Sequence, residues 1–485
     1  MKRQLSAFAA VCVFLLLALA ALAENTPDPV RRALLVGCDH FVMHEDTAPS
    51  AQMNVRRMQE ILRTDIRGYE SIYTYETGIS GVDFMTSVIE EAFARADADD
   101  VSLLYICTHG LYDRITLEPS LVLSDGHGEE ILTADALRRV LDAVPGKKIL
   151  LLDACNSGAF IGKGDWNEQV RNSFQGGDYR VLTSAGAAED SFLWSAGMQG
   201  GSYFADGLSE GLRTRSFDLN GDGTITLQEA YRGVLESHGA STAQCYPQDS
   251  DEALYVYDPL VQSTGERPIG EILLDTAVIG SDEDTLYFSF TVHRAVRVQY
   301  QLIYYKDGRW RFDMPQIVPD EENENGVLLP GRKERSLTLV SEDDTPTGYV
   351  LLQIVATEGR HSMLAGSRLI AVQEKMADPK LTVRTEEKFS PRTGEEMTVR
   401  VGHDFPCSLN VVIRDSQGNS VRRLAYREPS RPAGETNGSL FYWNGRDNRG
   451  EYVPAGTYYA EVSCKTEDQT YTQNSVEFTL TAEGE

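Results

Sequence analysis

Apolar residues along this chain follow two different rhythms, and the change from one to the other divides it. From Arg32 to about Asp258, short unbroken apolar runs alternate with segments whose apolar residues recur every three or four positions. Ala33–Cys38, Ser71–Tyr75, Val101–Cys107, Lys148–Asp153 and Arg180–Ser184 are too short for helices. They predict strands buried on both faces, as in a parallel sheet covered by helices. Between them Ala51–Leu62 carries Met53, Val55, Met58, Ile61 and Leu62 at helical spacing. Val82–Ala96 and Ala134–Leu141 also read as helices, the second capped by Thr133, and Asp125–Gly128 marks a hairpin. Past Tyr257 the helical period stops. Asp258–Pro268 reads as a linker, and strands such as Thr285–Val292, Val296–Tyr305 and Gly348–Ala356 follow. A second break at Met376–Pro379 precedes another strand-rich block, Leu381–Leu480. The expected architecture is an α/β sandwich over 24–260, then all-β sandwiches over 268–375 and 378–482.

The first 23 residues change the picture of where this protein works. Lys2 and Arg3 precede an apolar stretch, Ala7–Leu19, and Ala21, Leu22 and Ala23 form a small-residue cleavage pattern. This predicts a secretory leader and an exported, extracytoplasmic protein. No later run reaches the length of a membrane span, so no transmembrane segment is expected after leader removal. The net charge of −28, with acidic and basic residues interspersed, argues against nucleic acid as a partner. Beyond Cys12 in the leader, six cysteines remain, too few for a disulfide framework. Cys38 and Cys107 read as buried thiols, Cys245 has no evident partner, and Cys407 and Cys464 either pair or do not.

Two strand ends carry the chemistry. The apolar run from Val101 stops at His109 and Gly110, and that from Lys148 stops at Asp153, Cys155 and Gly158. Ligands in parallel sheets gather beyond the carboxyl ends of the strands, so a thiol and an imidazole delivered there form a nucleophile–base pair. Gly110 lets backbone approach a substrate and offer an N–H to an oxyanion. A structural cysteine and a strand-end histidine are the bland alternative. His127, in the hairpin turn, is a poorer candidate for the base.

The pair His109–Gly110 and the run Asp153-Ala-Cys155-Asn-Ser-Gly158 resemble the caspase-like cysteine peptidases, closest to the metacaspase and bacterial caspase-like form. The resemblance covers about residues 32–250. It implies a caspase-like sandwich that hydrolyses peptide bonds through an acyl-enzyme, with Cys155 as nucleophile and His109 as acid/base. The N–H groups of Gly110 and Cys155 would form the oxyanion hole. Asp153 matches a position that helps bind a basic P1 side chain; capping nearby N–H groups is the other reading. Those families start the first helix with a second aspartate, where this chain has Asn54. Asp39 and Ser184, at the ends of the first and fifth strands, complete the candidate substrate-binding set. The rival to a peptidase is a catalytically silent scaffold that binds a cell-surface or protein partner through its β-sandwiches. A zymogen cut within Gly162–Asp178 is a third possibility.

Asp218–Glu229 matches the EF-hand calcium loop: Asp218, Asn220 and Asp222 at positions 1, 3 and 5, Gly223 at 6, Thr224 at 7 and Glu229 at 12. Bound Ca2+ is expected to rigidify the end of the first domain. Finally, Trp443, Gly445, Asp447, Gly450, Pro454, Gly456 and Tyr458 resemble the FlgD-like immunoglobulin-type domain, implying an immunoglobulin-like fold for the last block. The middle block is expected to be a similar sandwich.

Overall fold

The computed structural model describes residues 29–481 apart from 48, 114, 164–170, 188, 197, 238–240, 262–266, 276–277, 281–284, 307–308, 313–314, 321–326, 340–347, 374–379, 392–395, 404–406, 431–438 and 466–469. The leader and part of the Gly162–Asp178 segment therefore lie outside the described residues.

The expected strands and helices form with small changes at their ends. They run β1 (Arg31–Gly37), α1 (Ser50–Leu62), β2 (Ser71–Tyr75), α2 (Val82–Phe93) and β3 (Val101–Cys107). A small antiparallel sheet follows, from β4 (Gly110–Asp113), β5 (Glu118–Ser124) and β6 (Glu129–Thr133). Then come α3 (Ala134–Asp142), β7 (Lys147–Asp153), β8 (Tyr179–Thr183) and a hairpin of β9 (Leu193–Ala196) and β10 (Gln199–Ser202). The domain ends with α4 (Tyr203–Thr214), β11 (Thr224–Thr226), α5 (Leu227–Ser237), β12 (Gln244–Tyr246) and β13 (Ala253–Val256). As the sequence requires, Thr133 caps α3 by accepting the Ala136 N–H at 3.2 Å.

The main sheet has the order β12-β8-β7-β3-β1-β2, parallel except for edge strand β12. Successive side chains point to opposite faces, so each central strand feeds two cores. Leu35, Leu103, Tyr105 and Leu151 pack under α1, α4 and α5. Leu34, Val36, Leu104, Ile106 and Leu150 pack under α2 and α3. Each such side chain contributes roughly 1.5–3 kcal/mol through its burial, which pins the register of β3 against β7 beneath the site.

The rest of the chain is strand-rich. Residues 273–373 form a three-stranded and a seven-stranded sheet over one shared core. Residues 381–480 form a three-stranded and a six-stranded sheet around Trp443, Tyr458 and Phe478. Cys407 and Cys464 are buried there as free thiols. Among the described residues no helix is long and apolar enough to cross a membrane.

Candidate active site

Register brings the two strand ends together. In the β3–β7 pair Cys107 lies opposite Asp153, and the Thr108 N–H continues the ladder to the Asp153 carbonyl at 3.2 Å. His109 and Cys155 are each two residues beyond that paired position, at the same carboxyl edge of the sheet. Gly110 then passes Cys155 so closely that a Cβ there would lie 1.8 Å from the Cys155 carbonyl oxygen. Only glycine fits. Asn156, next to the thiol, takes a left-handed conformation at φ +56°. Its N–H donates to the Glu189 carbonyl and its side-chain amide to the Ala187 carbonyl, both at 2.8 Å. These bonds hold the turn that leaves Cys155 half-buried, while the five other described cysteines are buried.

The histidine is oriented from the β1–α1 connection. Its Nε2–H donates to the Glu45 carbonyl at 2.7 Å. That bond leaves Nδ1 as the nitrogen able to accept a proton. The ring lies 4.5 Å from Phe41 and 5.6 Å from His44, centroid to centroid. Glu129 secures the same loop, accepting the Val42 and Met43 N–H groups at 2.8 Å and bonding His44 at 2.7 Å. Burial holds the His109 pKa below its ordinary value. Burial, and next the charge of Asp190, push the Cys155 thiol up to about 12. Sγ accepts the Ser191 N–H at 3.3 Å, and among the described residues no hydrogen bond joins it to His109. Both shifts favour the uncharged forms, thiol and imidazole.

Asp153 and Asn54 are both buried and are linked through Ser202. The Tyr105 hydroxyl donates to Asp153 at 2.8 Å, and the Ser202 hydroxyl also donates to it. The Ser202 N–H donates to Asn54 Oδ1 at 3.2 Å. Burial pushes the Asp153 carboxyl up to about 6, against the pull of these bonds. The Arg57 guanidinium reaches in beneath Gly201, 3.3 Å from Asn54 Oδ1, and pairs with Asp206 at 3.1 Å. Asp39 is engaged elsewhere: its carboxylate accepts the Ala51 and Gln52 N–H groups at 2.8 Å, capping α1. Ser184 is buried and grips the turn before Cys155, bonding the Ala154 N–H at 3.0 Å and the Ala154 carbonyl at 3.1 Å. His127 sits in the exposed β5–β6 turn.

Sequence reasoning missed Glu45, Glu129, Ser191, Ser202 and Arg57. None belongs to a recognisable motif, and all reach the site through non-local contacts.

In the 218–229 loop, Gly223 has φ +87°, as position 6 demands. Asp218 accepts the Gly221 and Gly223 N–H groups at 2.7 and 2.9 Å and the Tyr257 hydroxyl at 2.7 Å. Burial pulls the Asp218 pKa upward, but the Tyr257 hydroxyl and these N–H groups outweigh it, and the carboxyl sits below its ordinary value. Glu229 turns toward the Leu219 N–H at 3.2 Å and the Thr226 N–H at 2.9 Å. Among the described residues no three His, Cys, Asp or Glu side chains are gathered as a ready metal cluster. The donor set itself, three carboxylates, an amide and the Thr224 carbonyl, fits a hard cation, and each carboxylate retains free lone pairs.

Comparison with known proteins agrees with the resemblance read from the residues. Residues 30–249 match the family model of the caspase domain, and residues 389–468 that of the FlgD Ig-like domain. The chain carries both. Among solved structures, dimeric latent PorU from Porphyromonas gingivalis is similar at 14% identity over 44% of this chain, which spans 20% of PorU, with a TM-score of 0.19. The structure titled pro-sf-caspase-1 is similar at 15% identity over 45% of this chain and 88% of its own, with a TM-score of 0.31. The YadV chaperone is similar at 9% identity over 42% and 98%, with a TM-score of 0.25. No curated protein matches the chain.

Proposed function

We propose that this chain is an exported cysteine endopeptidase whose caspase domain works through Cys155 and His109. The observation that carries the reading is the β3–β7 register, which sets the two residues equally far past a paired position on adjacent strands. As the thiol attacks a peptide carbonyl, its proton passes to His109 Nδ1, and the S–C bond forms while the carbonyl oxygen becomes an oxyanion. The N–H groups of Gly110 and Cys155 are the proposed donors to that oxyanion. The imidazolium then protonates the leaving amine, and water, deprotonated by the same imidazole, releases the acid and restores the thiol.

A basic P1 side chain is the proposed preference. Asp153 is its carboxylate, and Arg57 must swing away from Asn54 for a guanidinium to enter. Ca2+ in the 218–229 loop is proposed as a structural ion, held by Asp218, Asn220, Asp222, Glu229 and the Thr224 carbonyl. Export rests on the leader pattern. Both strand-rich blocks are read as immunoglobulin-like sandwiches. The silent-scaffold alternative draws on the buried Asp153 and on the Ser191 bond to Sγ.

Peptidyl electrophiles carrying Arg or Asp at P1 test the reading. The Arg reagent should label wild type and not Cys155→Ala, with mass spectrometry locating the adduct. An unlabelled wild type would favour the scaffold, and faster labelling by the Asp reagent would overturn the P1 preference alone.

A further inference from the structure

One face of the seven-stranded sheet in the middle block is pressed against the β9–β10 hairpin. Gln301 and Gln353 stand opposite each other on neighbouring strands, and both are buried. Gln301 donates its amide N–H to the Ser195 carbonyl at 2.7 Å, and Gln353 donates to the Leu193 carbonyl at 2.8 Å. Carbonyls two residues apart point the same way along a strand, so the two amides grip one side of β9. Around them Ile303, Leu351, Val355 and Trp310 close over Phe192 and Trp194. At the start of β10, Gln199 accepts the Ser362 N–H at 2.7 Å and donates to the Arg360 carbonyl at 2.6 Å.

The same hairpin hangs between two serines that touch the candidate site. Ser191 precedes β9 and gives its N–H to Cys155 Sγ. Ser202 ends β10 and bonds both Asp153 and Asn54. The hairpin is a sheet of only two strands, an arrangement that is marginal by itself. It is held from two sides: Arg57 of α1 donates to the Gly200 carbonyl at 2.8 Å, and the middle block closes over β9.

We propose that the middle β block is a working part of the peptidase site. Gln301 and Gln353 are positioning residues, setting Ser191 against the thiol and Ser202 against the pocket carboxylate. This deepens the peptidase reading and rests on it.

The test uses the full chain with Gln301→Leu and Gln353→Leu together, and Gln301→Met and Gln353→Met singly in case the double variant fails to fold. A misplacement of about an ångström costs up to about a hundredfold in rate, so kcat/KM on a fluorogenic peptide should fall by about tenfold or more, mostly in kcat. The rate at which iodoacetamide alkylates Cys155 should shift by more than about threefold, because the N–H beside the sulfur has moved. If folded variants keep both rates within about twofold of wild type, whatever happens to their melting temperature, the glutamines are only structural and the proposal is overturned. If wild type cleaves no peptide, the peptidase reading fails by itself, and the alkylation rates still decide the positioning role.

Discussion

His109 and Cys155 stand at one edge of the sheet, and burial favours the uncharged form of each, which has a measurable consequence. Burial lowers the affinity of His109 for a proton, and burial together with Asp190 raises that of the thiol. A thiol pushed up to about 12 is almost wholly protonated at neutral pH, so its thiolate fraction grows with each unit of pH. Alkylation of Cys155 by iodoacetamide in the free protein should therefore climb steadily from about pH 6 to about pH 9. A plateau across that range would reveal a preformed thiolate–imidazolium pair and contradict this charge state. The other described cysteines are buried and should stay silent. At this scale the sequence was informative where chemistry sits next to glycine in the chain. Gly110 and Gly158 flagged the two strand ends, whereas Asp39 and Ser184 looked equally eligible and turned out to cap α1 and to brace the Ala154 turn. A strand-end polar residue serves backbone and substrate with the same atoms, and spacing does not distinguish the two uses.

Elements were legible in proportion to how local their stabilisation is. Strands β1, β3 and β7 announce themselves because burial on both faces demands unbroken apolar runs. β4 is too short to show a period, and the Gln199–Ser202 strand contains two glycines and no apolar residue. β10 exists because β9 pairs with it and a distant sheet covers the hairpin. The connection from Phe41 to Glu45 is similar: it has no regular structure, yet it orients His109. Its anchor is the Glu129 side chain, whose Oε2 takes two N–H groups from this loop. In Glu129→Gln an amide NH2 would meet donors in one of its two orientations. The Val42 and Met43 N–H groups lie on an exposed loop and can turn to water, so what is lost is a pair of bonds to a charged acceptor, up to about 1.5–3 kcal/mol each, and the Glu45 carbonyl should loosen its hold on His109. We expect kcat on a peptide substrate to drop on the order of tenfold with a smaller change in KM, since the Glu129 side chain is buried beneath the loop. A kcat within about twofold of wild type would show that β3 alone orients the imidazole.

Across the whole molecule, the last strand-rich block fastens onto the caspase domain through the stretch after Cys155 and through Asp249. Lys163, a few residues after Cys155, pairs with Glu396 and lies 5.0 Å from the Tyr442 ring centroid, while Asp249 meets Tyr452 at 3.0 Å. The proposed calcium loop stands where the caspase domain hands over to the strand-rich blocks. Its Gly223 carbonyl accepts the Tyr257 N–H at 3.0 Å, and a Cβ on Gly223 would lie 2.7 Å from the Pro259 ring. The loop also joins α4 to α5, which pack on the face of the sheet that carries Tyr105 beneath Asp153. Without a cation, Asp218, Asp222 and Glu229 repel one another across a few residues. An ion bound to the folded loop alone stabilises the fold by RT ln(1 + [L]/Kd), about 2.7 kcal/mol at a hundredfold excess over Kd. Excess chelator should thus lower the melting temperature by several degrees for a chain of this size, and added Ca2+ should restore it. Asp218→Asn and Glu229→Gln together should leave a melting temperature that no longer responds to either reagent. Because α4, α5 and the strand after them stand between the loop and the site, alkylation of Cys155 should change less than the melting temperature does. A wild-type melting curve unmoved by chelator would mean that the hydrogen bonds from Gly221, Gly223 and Thr226 close this loop by themselves.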